Sequence, residues 1–201
     1  MAQTTVPTLR GDHVSLEPLR LEHCAELAAA ARDGELWRLW YTSVPAPEGM
    51  AANIAFRLDW QARGGMLPFI VRRLSDGVIV GATSYCNITP AHRRLEIGYT
   101  WYARSVQRSA VNTECKLLML THAFESMDCA GVEFRTHWIN HQSRAAIERL
   151  GAKLDGVLRS HQVMPDGSLR DTCVYSIIAH EWPTVRNHLR FRLARGNLGS
   201  P

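Results

Sequence analysis

Residues 95–112 read LEIGYTWYARSVQRSAVN, and their pattern decides how the rest of the chain is arranged. Leu95, Ile97 and Tyr99 alternate with Glu96, Gly98 and Thr100, the period of two expected of a half-buried strand. Gly98 interrupts the run, where a glycine marks a bulge or a close backbone approach. After Tyr102 the apolar rhythm stops, and the stretch from Arg104 to Ser109 is polar and basic. Asn112, Thr113 and Glu114 then offer capping side chains for a helix beginning there. A helix start presents free N–H groups and the positive end of its dipole, so strand, loop and helix read as a phosphate seat. An Arg/Gln-rich loop feeding an ordinary surface helix has the same local pattern.

Outward from this stretch, residues 14–19 (VSLEPL) form a first strand, with Pro18 holding it to an edge or an end. Residues 21–32 are rich in alanine and leucine, a helix closed by Gly34. A second helix over 48–63 follows Pro45 and Pro47 and stops at Gly64-Gly65. The two helices form either a lid over one end of a sheet or plain packing layers. Residues 67–74 and 78–87 flank the turn Ser75-Asp76-Gly77 and make a hairpin leading into the central strand.

Beyond the loop, a helix over 113–127 carries Leu117, Leu120, Phe124 and Met127 at helical spacing, widened by Met119 and Ala123. A strand over 132–139 and a helix over 141–150, stopped by Gly151, complete a crossover that sets strands 95–102 and 132–139 parallel. Residues 154–164 and 169–178 pair across Pro165-Asp166-Gly167-Ser168, and Trp182, Val185, Leu189 and Leu193 face inward from a closing helix over about 181–194. The expected class is α/β (α+β), a mixed, mostly antiparallel sheet of about seven strands flanked by helices. One domain over 1–201 is expected, with its core at about 14–178.

Composition narrows the function. At 46% hydrophobic and 21% charged residues, the chain has the balance of a globular protein. No apolar run approaches a membrane span, and MAQTTVPTLRGDH lacks the apolar segment of a signal peptide, so a cytoplasmic protein with no membrane partner is expected. The net charge of +4 points toward nucleic acid, but 21 of the 23 basic residues are Arg and they are scattered, so DNA is not an expected partner. Cys24, Cys86, Cys115, Cys129 and Cys173 are odd in number with no Cys-x-x-Cys pair, which fits reduced thiols. Cys115 lies near a helix start, either with a lowered pKa or as a buried small hydrophobe. His137 and His141 fall on a strand and at a helix start, so no metal site is expected.

The order of strand, two helices, three-strand meander, anion loop, helix, strand, helix and hairpin resembles the GNAT acyl-CoA N-acyltransferases over about 14–178. The runs LEIGYTWYARSVQRSAVNTE and NHQSRAAIERLGA resemble most the RimJ/RimL-like branch, the ribosomal-protein N-acetyltransferase type. The resemblance implies a sheet splayed between its fourth and fifth main strands and acetyl-CoA as co-substrate. In this superfamily the loop after the fourth strand holds the pyrophosphate of coenzyme A, with the pattern Gln/Arg, two residues, Gly, one residue, Gly/Ala. Gln107, Arg108, Ser109, Ala110, Val111 and Asn112 occupy those places here, followed by Thr113. Ala110 replaces a glycine, so the backbone must reach the phosphates without positive φ there, or with strain. Arg104 and Arg108 add charged contacts.

By the same resemblance, Asn140 contacts the pantetheine arm and Ser143 lies near the sulfur. On the residues alone, Asn140 is a helix cap and Ser143 is neutral. Relatives carry a tyrosine that protonates the leaving thiolate, and the matching position is Ile147, which cannot donate. Ser143 or an ordered water would serve, because a thiol with pKa near ~8.5 leaves with little acid help.

The chemistry implied is direct transfer, in a ternary complex, to a primary amine: a protein N-terminal α-amine or a small-molecule amine. A bulge near Gly98 would splay the strands and turn N–H groups around Thr100, Trp101 and Tyr102 toward the thioester carbonyl, donors worth typically ~3 kcal/mol each. Glu96 is the candidate general base, and equally a solvent-facing strand residue or ion-pair partner of Arg93 or Arg94. An α-amine of pKa ~7.7–8.0 needs a weaker base than a lysine at ~10.4. His161 and Asp171 on the last hairpin either orient an acceptor or make surface hydrogen bonds, and Trp37, Trp40 and Tyr41 line the acceptor side or the core. Two alternatives stand beside acetyl transfer: a coenzyme-A-binding or interaction module with little catalysis, and transfer of a longer acyl group such as succinyl, its carboxylate held by an Arg. The exposed hairpin and basic final helix offer a surface for a homodimer.

Overall fold

A computed structural model describes residues 5–196. Eight strands form one sheet: β1 (Leu9–Arg10), β2 (Val14–Pro18), β3 (Met66–Arg73), β4 (Ile79–Thr89), β5 (Arg94–Tyr102), β6 (Gly131–His137), β7 (Lys153–Val163) and β8 (Leu169–Ile178). Their order across the sheet is β1-β2-β3-β4-β5-β6-β8-β7. Every neighbouring pair is antiparallel except β5 and β6, which run parallel. The strand not foreseen is β1, two residues that pair with β2 and leave Pro18 at a strand end opposite Phe69.

Five α-helices flank the sheet: α1 (Cys24–Arg32), α2 (Met50–Ala62), α3 (Ala110–Thr121), α4 (His141–Glu148) and α5 (Trp182–Gly196). On β4, Thr83 and Tyr85 reach Met119 of α3, whereas Cys86, the next residue, points the other way beside Arg57 of α2. Alternation along a strand therefore puts α2 and α3 on opposite faces. Trp182, Val185 and Leu189 of α5 are buried, as their spacing predicts, and α5 packs with α3.

Helix α3 departs from expectation at both ends. Its N-cap is Ser109, whose hydroxyl accepts from the Val111 N–H, so Asn112 and Thr113 lie inside the first turn and do not cap it. At the far end the helix widens into a π-turn over His122–Ser126. The buried stripe runs through Val111, Cys115, Met119 and Ala123, with Leu117 and Phe124 only partly covered. It includes two charged residues, Glu114 and Lys116. The Glu114 carboxylate accepts the N–H groups of Asp12, His13 and Val14 at 2.9, 2.7 and 2.8 Å, which satisfies both the acid and the β1–β2 turn.

Candidate active site

The parallel pairing of β5 and β6 lasts three residues, Arg94↔Gly131, Leu95↔Val132 and Glu96↔Glu133. Beyond Glu96 the two strands share no ladder, although β5 continues to Tyr102 and β6 to His137. From residue 97 onward β5 pairs on one side only, with β4, and its other edge is a row of main-chain groups open to a ligand. The splay therefore falls between the fourth and fifth main strands.

A bulge shapes that edge. Ser84 stands opposite Gly98 and Ala82 opposite Trp101, so Tyr99 and Thr100 together face Thr83. The bulged residue is Tyr99, one place beyond Gly98, with φ +52. A left-handed aromatic residue costs on the order of 1–3 kcal/mol and persists only where its surroundings hold it. Three contacts hold it here. Arg57 of α2 donates to the Tyr99 carbonyl at 3.3 Å, Trp60 packs edge-on to the Tyr99 ring at 5.7 Å, and Thr100 is tied down from the opposite face. There Thr100 Oγ1 lies 2.7 Å from Thr83 Oγ1 and accepts from Lys116 Nζ at 3.0 Å.

Glu96 is buried, 8% exposed, and not the solvent-facing residue that one reading allowed. Its carboxylate accepts from Asn87 Nδ2 at 2.8 Å and lies 3.6 Å from Arg135 Nε. Arg93 and Arg94 are committed elsewhere, to Asp128 and Glu133, because the β6 register brings Arg135 to Glu96 instead. Desolvation raises the Glu96 pKa, against the opposing pull of Asn87 and Arg135. A cavity of about 230 Å³ opens beside it, lined by Asn87, His92, Glu133 and Arg135 among others. Gly98 is required here: a Cβ would lie 2.9 Å from Glu96 Oε1 and 3.1 Å from Cys86 Sγ.

The loop after Tyr102 turns at Arg108, φ +61, while Ala110 is the first helical residue and carries no positive φ. The missing glycine at 110 therefore costs no backbone strain, since the left-handed position lies two residues earlier. Gln107 donates to the Tyr102 carbonyl at 3.2 Å and accepts from Gln142 of α4 at 3.4 Å, linking the two sides of the splay. Ser109 also donates to the Val106 carbonyl at 2.6 Å.

Asn140 caps α4, its Oδ1 accepting from the Ser143 N–H at 3.0 Å. Ser143 is half-buried, and its hydroxyl makes no hydrogen bond among the described residues. Ile147 is buried and offers no proton. Trp40 is 51% exposed and meets His137 edge-on at 5.4 Å, so it lies at the rim and not in the core. Asp171 is held by Arg159 and the Ser160 N–H, and His161 by Thr172, the surface hydrogen-bonding role. Burial pushes the Cys115 thiol up to about 12, which removes the reactive reading. No cluster of potential metal ligands occurs among the described residues.

Sequence reasoning missed Arg57 and Lys116, both buried cations beneath the bulge. Burial lowers their pKa values to about 10 and about 8. The signal was periodicity: Arg57 lies on the Met50–Ile54 stripe of α2, and Lys116 lies one turn from Leu120. A charge on an apolar face calls for an explanation.

Comparison with known proteins agrees with this geometry. The sequence profile of the family described as "Acetyltransferase (GNAT) domain" matches residues 13–153. A Bacillus subtilis (strain 168) protein named "Putative ribosomal N-acetyltransferase YdaF" is 31% identical over 109 residues, 54% of this chain and 58% of that protein. The chain thus spans little more than half the length of that curated relative. Among solved structures, a GCN5-related N-acetyltransferase from Brucella melitensis superposes with TM-score 0.82 at 28% identity, covering 94% of this chain and 86% of that one. Mycobacterium smegmatis RimJ, solved with CoA-disulfide, superposes with TM-score 0.76 at 25% identity over 93% of each chain.

Proposed function

The chain belongs to the GNAT acetyltransferase family, and from that premise we propose that it moves an acetyl group from acetyl-CoA to a primary amine by direct transfer. The observation that carries this reading is the end of β5–β6 pairing at Glu96↔Glu133, followed by the bulge at Tyr99. An extended pantetheine arm fits that open edge as an added strand, with main-chain groups of residues 97–102 as its partners. The thioester carbonyl then meets the N–H groups around Thr100, Trp101 and Tyr102, which stabilise the charge that develops on its oxygen.

The diphosphate belongs against the mouth of α3. The main-chain N–H groups that capping leaves free in the first turn of α3, together with the helix dipole, favour an anion there, and Arg104 and Arg108 supply formal charge. Gln107, Ser109, Ala110, Val111, Asn112 and Thr113 form this mouth mainly through backbone. On the other wall, Asn140 Nδ2 is available to a pantetheine carbonyl, because capping uses only the Oδ1 of that side chain.

Amine nitrogen attacks the carbonyl carbon, the C–N bond forms, and the C–S bond breaks. Glu96 takes the amine proton, directly or through a water in the adjoining cavity, and its raised pKa makes it a stronger base than an ordinary carboxylate. The Ser143 hydroxyl hydrogen-bonds the leaving thiolate, which takes its proton from water. An α-amine is the better acceptor for so modest a base, which favours a protein N-terminus or a small α-amine over lysine. The B. subtilis relative's name supports a ribosomal acceptor.

Thiol release from acetyl-CoA, measured with a panel of small amines and peptide N-termini, tests the proposal. Amine-dependent turnover lost in Glu96→Gln supports it. Tight calorimetric binding of acetyl-CoA with no amine-dependent release would instead favour a binding module.

A further inference from the structure

Arg57 is the most unusual charge in the molecule. Its residue is 2% exposed, and its Nε and Nη1 have no hydrogen-bond partner. Only Nη2 is engaged, with the Tyr99 carbonyl at 3.3 Å, and the guanidinium carbon lies 5.5 Å from the Tyr99 ring centroid. Among the described residues no carboxylate pairs with it, and the groups that face its charge are the Tyr99 phenol and the Cys86 thiol. A buried guanidinium without a counter-charge is costly, and two unfilled donors add to that cost. Holding one carbonyl does not require a permanent cation there.

The location gives the missing partner a source. Arg57 touches the bulge at Tyr99, the residue before the N–H groups that face the reacting carbonyl in the proposed mechanism. It lies on the α2 face of β5, the face to which Glu96, Cys86 and Gly98 also point. Phe56, 46% exposed, and Trp60 pack against the Tyr99 ring that faces this guanidinium. Rotamer changes of such side chains on ligand binding are common.

We propose that Arg57 is the receptor for a carboxylate carried by a substrate, completed only when that substrate is bound. The inference rests on the acyl-transfer reading for the position of the substrate and deepens it by naming a substrate class. Two sources bring a carboxylate to this point. One is the far end of a dicarboxylic acyl group on coenzyme A. The other is the carboxylate of an amino-acid acceptor whose amine is directed to Glu96. In either case the carboxylate accepts from the unfilled Nη1 and supplies the counter-charge that the guanidinium lacks.

The experiment has two arms, each read by calorimetric binding and by thiol release. The first compares succinyl-CoA with acetyl-CoA. The second, on protein saturated with acetyl-CoA for turnover or coenzyme A for binding, compares each of the twenty free amino acids with its α-carboxamide. Wild-type protein should favour the carboxylate member of one arm by roughly tenfold or more, the discrimination expected when a buried ionic hydrogen bond is made or missed. That arm identifies the source. Arg57→Met should bring the ratio in that arm close to one, and Arg57→Lys should leave it in between. Equal treatment of both members in both arms by the wild type overturns the proposal, even if Arg57→Met fails to fold. A wild-type ratio that persists in Arg57→Met overturns it as well. Preference in binding with no turnover overturns the transferase reading and leaves the carboxylate receptor standing.

Discussion

Asn87 donates its side-chain amide to the Glu96 carboxylate at 2.8 Å, inside a strand pair that leaves Glu96 only 8% exposed. A single neutral donor and an Arg135 guanidinium at 3.6 Å do not offset the loss of water, and the pKa of the acid rises. The arrangement trades stability for a usable base.

Two consequences follow for pH. Activity should fall as pH drops through the raised pKa of Glu96, an acid limb above the ordinary glutamate range near ~4.3. Glu96→Gln should remove that limb and lower kcat by roughly 10²–10⁴-fold, the usual span for a general base. Because the fold disfavours the charged form, the variant should melt no lower than wild type at neutral pH. Paired kcat–pH profiles and melting curves read both effects.

Gly98 gives Glu96 its room. Gly98→Ala would force a methyl to 2.9 Å from Glu96 Oε1 and 3.1 Å from Cys86 Sγ. Overpacking of that kind costs typically ~1–3 kcal/mol. The carboxylate is the side that can yield, so kcat should fall by roughly tenfold or more while coenzyme A affinity changes little. Steady-state kinetics with calorimetry would separate the two.

Lys116 supports the opposite side of the bulge through Thr100 and Thr83. Its folded pKa is lowered to about 8, against ~10.4 for a free lysine. Between those values the unfolded chain binds more protons, so this residue makes stability rise with pH across that window. Below it the penalty is complete, on the order of 3 kcal/mol. Lys116→Met should flatten this rise and melt at or above the wild-type temperature at pH 7. It should also lower kcat, because Thr100 loses the donor that fixes the bulge. Denaturant titrations of both proteins from pH 7 to pH 10.5 check the slope.

Arg108 sits at φ +61, at the turn of the loop that leads into α3. Arg108→Ala keeps the same backbone strain and should change stability by under ~0.5 kcal/mol. Affinity for coenzyme A should fall by roughly tenfold at low salt and by less at high salt, as for any screened charge contact. Titrations at two ionic strengths measure it.

Much of this architecture was legible in advance, and the residues explain which parts. The alternation of Leu95 and Ile97 announces β5, although Glu96 between them is buried as well and Tyr99 leaves their face at the bulge. The hairpins at Ser75-Asp76-Gly77 and Pro165-Asp166-Gly167-Ser168 are local chemistry, and β3–β4 and β7–β8 form around them. The start of α3 was misplaced because Ser109 and Asn112 are both good caps, and only the tertiary course of the loop selects between them. The partner of Glu96 was misassigned for a similar reason. Arg93 and Arg94 are near in sequence, but the β5–β6 register is set by residues forty positions away, and it delivers Arg135. Arg57 and Lys116 were overlooked because arginine and lysine on helices are usually surface residues, and each lies on the stripe its helix buries.

The most direct measurement is a crystal structure of the protein with coenzyme A. The account predicts the pantetheine arm laid along the open edge of residues 97–102, between β5 and β6, with the diphosphate on the free N–H groups in the first turn of α3. Coenzyme A bound elsewhere, or β5 and β6 closed into one ladder beyond Glu96, would contradict it.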